Sequence, residues 1–140
     1  MHYYAVIDTN VVVSAMLKWQ SLPGNILELV FDGIITPVFN DEILNEYREV
    51  LNRPKFNLNK QIIEDFVGNL EELGISIKAE TLDLNFPDPK DRVFYEITME
   101  NRKSDETYLV TGNIKHFPEQ CFVVTPREML EIVLSKNNSQ

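Results

Sequence analysis

The chain has 140 residues, enough for one domain that buries about two thirds of its unfolded surface. Hydrophobic residues at 44% and charged residues at 25% give the balance of a soluble globular protein, and no stretch approaches the roughly 18 apolar residues that a membrane span needs. The net charge of −9 argues against a protein that grips long duplexes through their phosphates, but not against one that gathers carboxylates around a bound cation.

Taken in chain order, the elements alternate. Tyr3 to Ile7 is an apolar run of strand type that ends abruptly in Asp8-Thr9-Asn10. No basic region precedes it and the run is short, so no signal peptide is expected. Val11 to Leu17 begins a helix. Leu22-Pro23-Gly24-Asn25 is read as a break, after which Ile26, Leu27, Leu29, Val30 and Phe31 form a helical stripe that Gly33 stops. Ile34 to Phe39 is a second strand, with Pro37 expected near its end. Asn40 caps a helix running to about Asn52, with Asp41 and Glu42 in its first turn and Ile43, Leu44, Tyr47, Val50 and Leu51 on its apolar face. Arg53-Pro54 ends it.

A further helix spans Asn59 to Leu73, with Ile62, Ile63, Phe66, Val67, Leu70 and Leu73 as its stripe and Gly74 as its stop. Ile75-Ser76-Ile77 is a short strand. Residues 85–91 form a loop rich in acids and prolines, and Asp91 opens a helix to Asn101. Thr107 to Thr111 is a strand that ends in Gly112-Asn113, and Phe122 to Val124 is the last strand. The single cysteine, Cys121, excludes an intrachain disulfide, fits a reducing cytoplasmic setting, and is expected as a small buried hydrophobe. Thr125-Pro126-Arg127-Glu128 is a capping box with proline at the first helical position. Its helix is expected to reach about Leu134, leaving 136–140 as a frayed tail of a single 1–140 domain. Strands alternating with helices predict an α/β fold, a parallel sheet with helices on both faces.

In such a sheet ligands gather outside the carboxyl ends of the strands. Asp8 follows the first strand. Glu46, at the edge of an apolar stripe that turns by about 100° per residue, points towards the sheet rim. Asp91 opens a helix, with Asp88 three residues before it, and Asn113 follows the strand ending at Thr111. All fall on one side. Carboxylates brought close repel one another unless a cation sits between them. Oxygen-only ligands suit magnesium or manganese, which can activate water and clamp a phosphate. There is no Gly-rich phosphate loop, no Gly-x-Ser-x-Gly elbow and no Cys/His metal spacing. Singly, each residue has a plainer role: turn residue for Asp8 and Asn113, solvated helix acid for Glu46, N-cap for Asp91, loop acid for Asp88. Arg48, Arg53 and Lys55, or Arg102 and Lys103, are candidates for contacting a nucleic-acid backbone, with surface charge as the default. His116 is a candidate for reaching phosphate, with a surface or packing role as the default. Trp19 is read as packing or lid.

The chain resembles a PIN domain, in particular the bacterial toxin components of toxin–antitoxin systems (VapC-like ribonucleases). The resemblance is carried by Val6-Ile7-Asp8-Thr9-Asn10-Val11-Val12-Val13-Ser14-Ala15, by Glu46-Tyr47-Arg48-Glu49-Val50-Leu51 with Arg53-Pro54-Lys55-Phe56, by Asp88-Pro89-Lys90-Asp91-Arg92-Val93-Phe94, by Tyr108-Leu109-Val110-Thr111-Gly112-Asn113, and by Val123-Val124-Thr125-Pro126-Arg127-Glu128. It implies a three-layer α/β/α fold with a central parallel sheet of about five strands. It implies a metal-dependent endoribonuclease using Mg2+ or Mn2+, with Asp8, Glu46 and Asp91 as metal ligands, Thr9 and Asn10 ordering the site, and Thr111 as the hydroxyl before the fourth acid. Asn113 stands where many members carry aspartate. An amide oxygen binds a cation or a water but brings no charge, and Asp88 or Asp105 is the candidate replacement. The implied partners are an RNA substrate, a cognate antitoxin protein and a second copy in a homodimer. The competing reading, from the Asn113 departure, is a weakly active or inactive module that binds RNA or a protein partner.

Overall fold

The structure is a computed structural model that describes residues 2–138. Strands β1 (Tyr3–Ile7), β2 (Ile35–Phe39), β3 (Ile75–Ser76), β4 (Thr107–Val110) and β5 (Val123–Val124) form one sheet in the order β3-β2-β1-β4-β5. Every pairing is parallel, with Tyr3 opposite Ile35, Val6 opposite Leu109, Val38 opposite Ile75 and Leu109 opposite Val123. Parallel neighbours need crossover connections. These contain α1 (Thr9–Leu17), α2 (Leu22–Phe31), α3 (Asp41–Leu51), α4 (Lys60–Leu73) and α5 (Arg92–Asn101), and α6 (Pro126–Asn138) follows the last strand. α2 and α4 pack on β2, α6 packs on β4 and β5, and α2 touches both of its neighbours. α5 covers β1, β2 and β4 from the opposite face. This is the expected three-layer α/β/α arrangement.

A sheet covered on both faces buries its strands almost whole. Ala5, Val6 and Leu109 are fully buried, as are Ile26, Leu27, Ile43, Ile63, Phe94 and Ile97 from the helices. The order of the strands has one functional consequence. The chain leaves β1 towards β2 on one side, while β4 docks on the other, so the connections diverge above β1 and β4. That divergence opens a crevice at the carboxyl ends of these two strands.

Several local expectations are corrected. Leu22-Pro23-Gly24-Asn25 is no break. α2 starts at Leu22, with Ser21 accepting from the Gly24 amide and Pro23 in the first turn, where its missing N–H costs nothing. β2 is an interior strand despite Pro37. The Pro37 nitrogen faces the β3 side, where pairing begins only at Val38, so no ladder bond is lost. Gly74 lies against Pro37 so closely that a Cβ would stand 2.4 Å from the Pro37 carbonyl oxygen. Ile62 and Leu73 belong to the α4 stripe by spacing but are 56% and 42% exposed, because α4 turns only its Ile63–Phe66–Val67–Leu70 face to the core. Cys121 is exposed, not buried, because it falls in the turn that leads into β5. The Thr125–Glu128 capping box is formed reciprocally at 2.9 and 3.1 Å. α6 continues to Asn138, past the expected end at Leu134. Of the tail expected to fray, residues 139–140 lie outside the described residues, as do the side chains of 136–138.

Candidate metal centre in the carboxyl-end cleft

β1 hands over to α1 at Asp8, and that junction sets the site. The Asp8 amide still bonds in the sheet, donating to the Val110 carbonyl at 2.9 Å, while the Asp8 carbonyl already accepts from Val11. Asp8 is therefore both the last ladder residue of β1 and the N-cap of α1. Its side chain is only 5% exposed. Three donors hold it: the Thr9 amide at 2.8 Å, the Asn10 amide nitrogen at 3.2 Å and the Thr111 hydroxyl at 2.7 Å. Asn10 also accepts from the Gly112 amide at 3.1 Å, so one side chain ties the end of β1 to the end of β4.

Glu46 reaches the same place from α3. The Thr9 hydroxyl donates to its carboxylate. The neighbouring Tyr47, fully turned into the core, donates its hydroxyl to the Ile7 carbonyl and clamps α3 against the end of β1. Asp91 comes from the other side of the crevice. It occupies the N-cap position of α5, as expected, but makes no side-chain cap bond. Asp88 does the local capping instead, accepting from the Lys90 amide at 3.0 Å. The Asp91 carboxylate is thereby left for the cleft, where His116 Nδ1 lies 3.3 Å from it. Asn113 is exposed at the rim, and its amide donates to the Thr111 hydroxyl at 3.0 Å.

Asp8, Thr9, Asn10, Glu46, Asp88, Asp91 and Asn113 thus share one cleft of about 790 Å³, and Thr111 stands behind Asp8. Asp105 is not among them. It precedes β4, at the opposite end of that strand, and is excluded as the missing fourth acid. Arg48 pairs with Glu64 and Glu71, Arg102 lies over the Phe122 ring, and Lys103 pairs with Glu100, so these three are structural or surface cations. Trp19 packs on Phe31 and donates to Glu28, away from the cleft. His116 and Arg53 line the cleft while remaining on the surface, with side chains 45% and 41% exposed. Sequence reasoning did not single out Asn45, Lys90 or Phe56, which also line it. The signal was available for one wall: Glu42, Glu46, Glu49 and Arg53 recur at helical spacing on a single face.

The electrostatics follow from burial. Burial pushes the Asp8 carboxyl up to about 6; the Asp91 charge adds to this, and the Thr111 and Thr9 bonds oppose it. Burial likewise raises Glu46, helped by the charges of Asp8 and Asp88 and opposed by Thr9 and Lys90. Asp91 is raised by burial and by Asp88, against the pull of His116. Among the described residues no group of three or more His, Cys, Asp or Glu side chains closes into a ready-made metal cluster. The donor chemistry nevertheless fits a hard divalent cation. The acids offer oxygen alone, and they penalise one another's charge in a way that a bound cation reverses.

The fold and this crevice define an α/β protein that gathers carboxylates at the carboxyl end of a parallel sheet. The chain matches the PIN domain family model over residues 4–115 and belongs to the PIN domain family. PIN domains are generally nucleases, and they generally use divalent metals. No curated protein and no solved structure matches the chain. Among the described residues no helix is long and apolar enough to cross a membrane.

Proposed function

We propose that the chain is a divalent-metal-dependent endoribonuclease that hydrolyses RNA phosphodiester bonds as the toxin of a toxin–antitoxin pair, working in the cytoplasm. The observation that carries this reading is the meeting of Asp8, Glu46 and Asp91, from three separate elements, in one cleft. These three would hold Mg2+ or Mn2+, with the Asn113 amide oxygen as an uncharged fourth donor. When bound, such an ion lowers the pKa of a water and neutralises charge gathering on the phosphate. The rest of the site positions. Thr111, Thr9 and Asn10 fix the Asp8 carboxylate, Thr9 fixes Glu46 as well, and His116 restrains Asp91. Lys90, which lines the cleft and whose charge is felt at Glu46, would meet a phosphate oxygen.

The partners expected with this function are an antitoxin that blocks the cleft and a second copy of the chain in a homodimer. The neutral Asn113 favours one competing reading, a module that binds RNA or a protein without cutting. The test is a mixed RNA panel incubated with Mn2+, Mg2+ or EDTA. Cleavage is expected with metal only, and is expected to vanish in Asp8→Ala while circular dichroism shows the fold intact. Full activity in Asp8→Ala would overturn the assignment. No cleavage across the whole panel, together with no useful affinity for manganese, would favour the binding module; manganese binding without cleavage would mean that the panel lacks the substrate.

A further inference from the structure

The chain has eight phenylalanines. Seven of them either sit in the hydrophobic core or pack against it: Phe31, Phe39, Phe66, Phe86, Phe94, Phe117 and Phe122. Phe56 does neither. It is half-buried, and the surface it shows lines the acidic cleft. An aromatic ring withheld from the core and turned to a polar cleft loses burial that a folded chain could otherwise use.

The backbone that carries the ring is also fixed. α3 ends at Leu51, and Pro54–Phe56 forms one 3-10 turn that begins at a proline. The turn closes through the Phe56 amide to the Arg53 carbonyl at 3.0 Å and the Asn57 amide to the Pro54 carbonyl at 3.0 Å. It ends at Asn57 in the left-handed region, φ 49°, a conformation that asparagine tolerates better than most residues. Lys55 Nζ lies 5.1 Å from the centre of the Phe56 ring. Arg53, on the same wall, is restrained by Glu49 at 3.0 Å. The helix rise puts the Arg53 turn about 10 Å along α3 from Glu46, within reach of a nucleotide adjoining the one whose phosphate meets the acids.

We infer that Phe56, flanked by Lys55 and Arg53, is a base-stacking subsite that takes an unpaired base next to the scissile phosphate. This rests on the ribonuclease reading of the same cleft. Stacking on an aromatic face accepts any base, so the subsite sets strandedness and not sequence. A duplex keeps its bases stacked on one another and offers the ring nothing.

The experiment measures binding by fluorescence anisotropy in an Asp8→Asn background with Mn2+, where cutting is off. The probes are a mixed-sequence 12-nucleotide single-stranded RNA, its duplex, and the same strand made abasic. The single strand is expected to bind tightest. Phe56→Leu, of similar volume, is expected to weaken single-strand binding about 5- to 150-fold and to erase the advantage over the abasic strand. Phe56→Trp is expected to restore both. Unchanged binding in Phe56→Leu, or equal affinity of the parent for single strand and duplex, overturns the subsite. If otherwise unmodified protein still cleaves RNA in either case, the ribonuclease reading stands without it. If the parent binds none of the probes and the unmodified protein cleaves nothing, both fall.

Discussion

The Thr111 hydroxyl donates to Asp8 Oδ2 at 2.7 Å, a bond between residues 103 positions apart in the chain. It joins the ends of β4 and β1, and both partners are buried. It also stabilises the charged form of a carboxylate that burial would otherwise neutralise. Fold and site are coupled here through one oxygen.

Replacing Thr111 with valine keeps the shape and removes the donor. A hydrogen bond to a charged group is worth about 1.5–3 kcal/mol, and the Asn113 amide loses its acceptor as well. Thr111→Val is therefore expected to lower unfolding free energy at neutral pH by about 2–3 kcal/mol in urea melts and to cut nuclease activity at least tenfold. Thr111→Ser is expected to retain most of both. Equal stability of the valine and serine variants would show that the bond contributes little.

The raised acids make the metal-free protein lose stability as pH rises. Asp8 holds its proton up to about 6 when folded, against 3.8 as the ordinary value. Between those values the folded state binds more protons than the unfolded state, so stability is greatest at and below about pH 4 and declines through pH 6. At 1.36 kcal/mol per pH unit this amounts to about 3 kcal/mol for Asp8, and Glu46 and Asp91 are shifted in the same direction. In EDTA the melting temperature should fall by several degrees between pH 4 and 6.5. Added Mn2+ should reverse the fall at pH 7, since a ligand of the native state stabilises it. A flat profile in EDTA would mean that the three carboxylates are not crowded.

Tyr47 tests positioning apart from chemistry. Its hydroxyl donates to the Ile7 carbonyl, and Tyr47 does not line the cleft. Burial raises its own ionisation well above the usual value, with Asp8 and Glu46 adding to the effect, so it stays neutral throughout the working range. Tyr47→Phe should cost about 1 kcal/mol of stability. It should weaken Mn2+ binding only modestly, through a looser Glu46. Calorimetric titration of both proteins checks this, and an undiminished affinity together with an undiminished melting temperature would dismiss the clamp.

Most of the fold was legible because its signals are local. Period and composition mark β1, α3, α4 and the capping box of α6 without reference to the rest of the chain. The start of α2 was hidden, because Pro23 and Gly24 read as a break unless Ser21 is recognised as the cap before them. The site acids were legible because each follows a strand or lies on the inner edge of a helix. What was not legible was division of labour. Both Asp88 and Asp91 suit a helix start, and only the geometry shows Asp88 capping while Asp91 faces the cleft. Phe56 was opaque for a related reason. An aromatic residue after a helix reads as core, and its exclusion from the core is a tertiary fact.

Asn113 offers the sharpest test of the metal reading. It is exposed at the cleft rim, and its backbone is held by Thr111, so a new carboxylate there would enter the cleft without disturbing the core. Asn113→Asp adds one oxygen ligand charge, and affinity for hard cations rises with ligand charge count. The variant is expected to bind Mn2+ about tenfold more tightly and to cut RNA at lower metal concentration. Without metal the added charge should work the other way, raising Asp8 further and lowering the melting temperature at pH 7 by a degree or two. Opposite signs with and without metal are the signature of a cation site. Lower stability in both conditions, with Mn2+ affinity unchanged, would place Asn113 outside it.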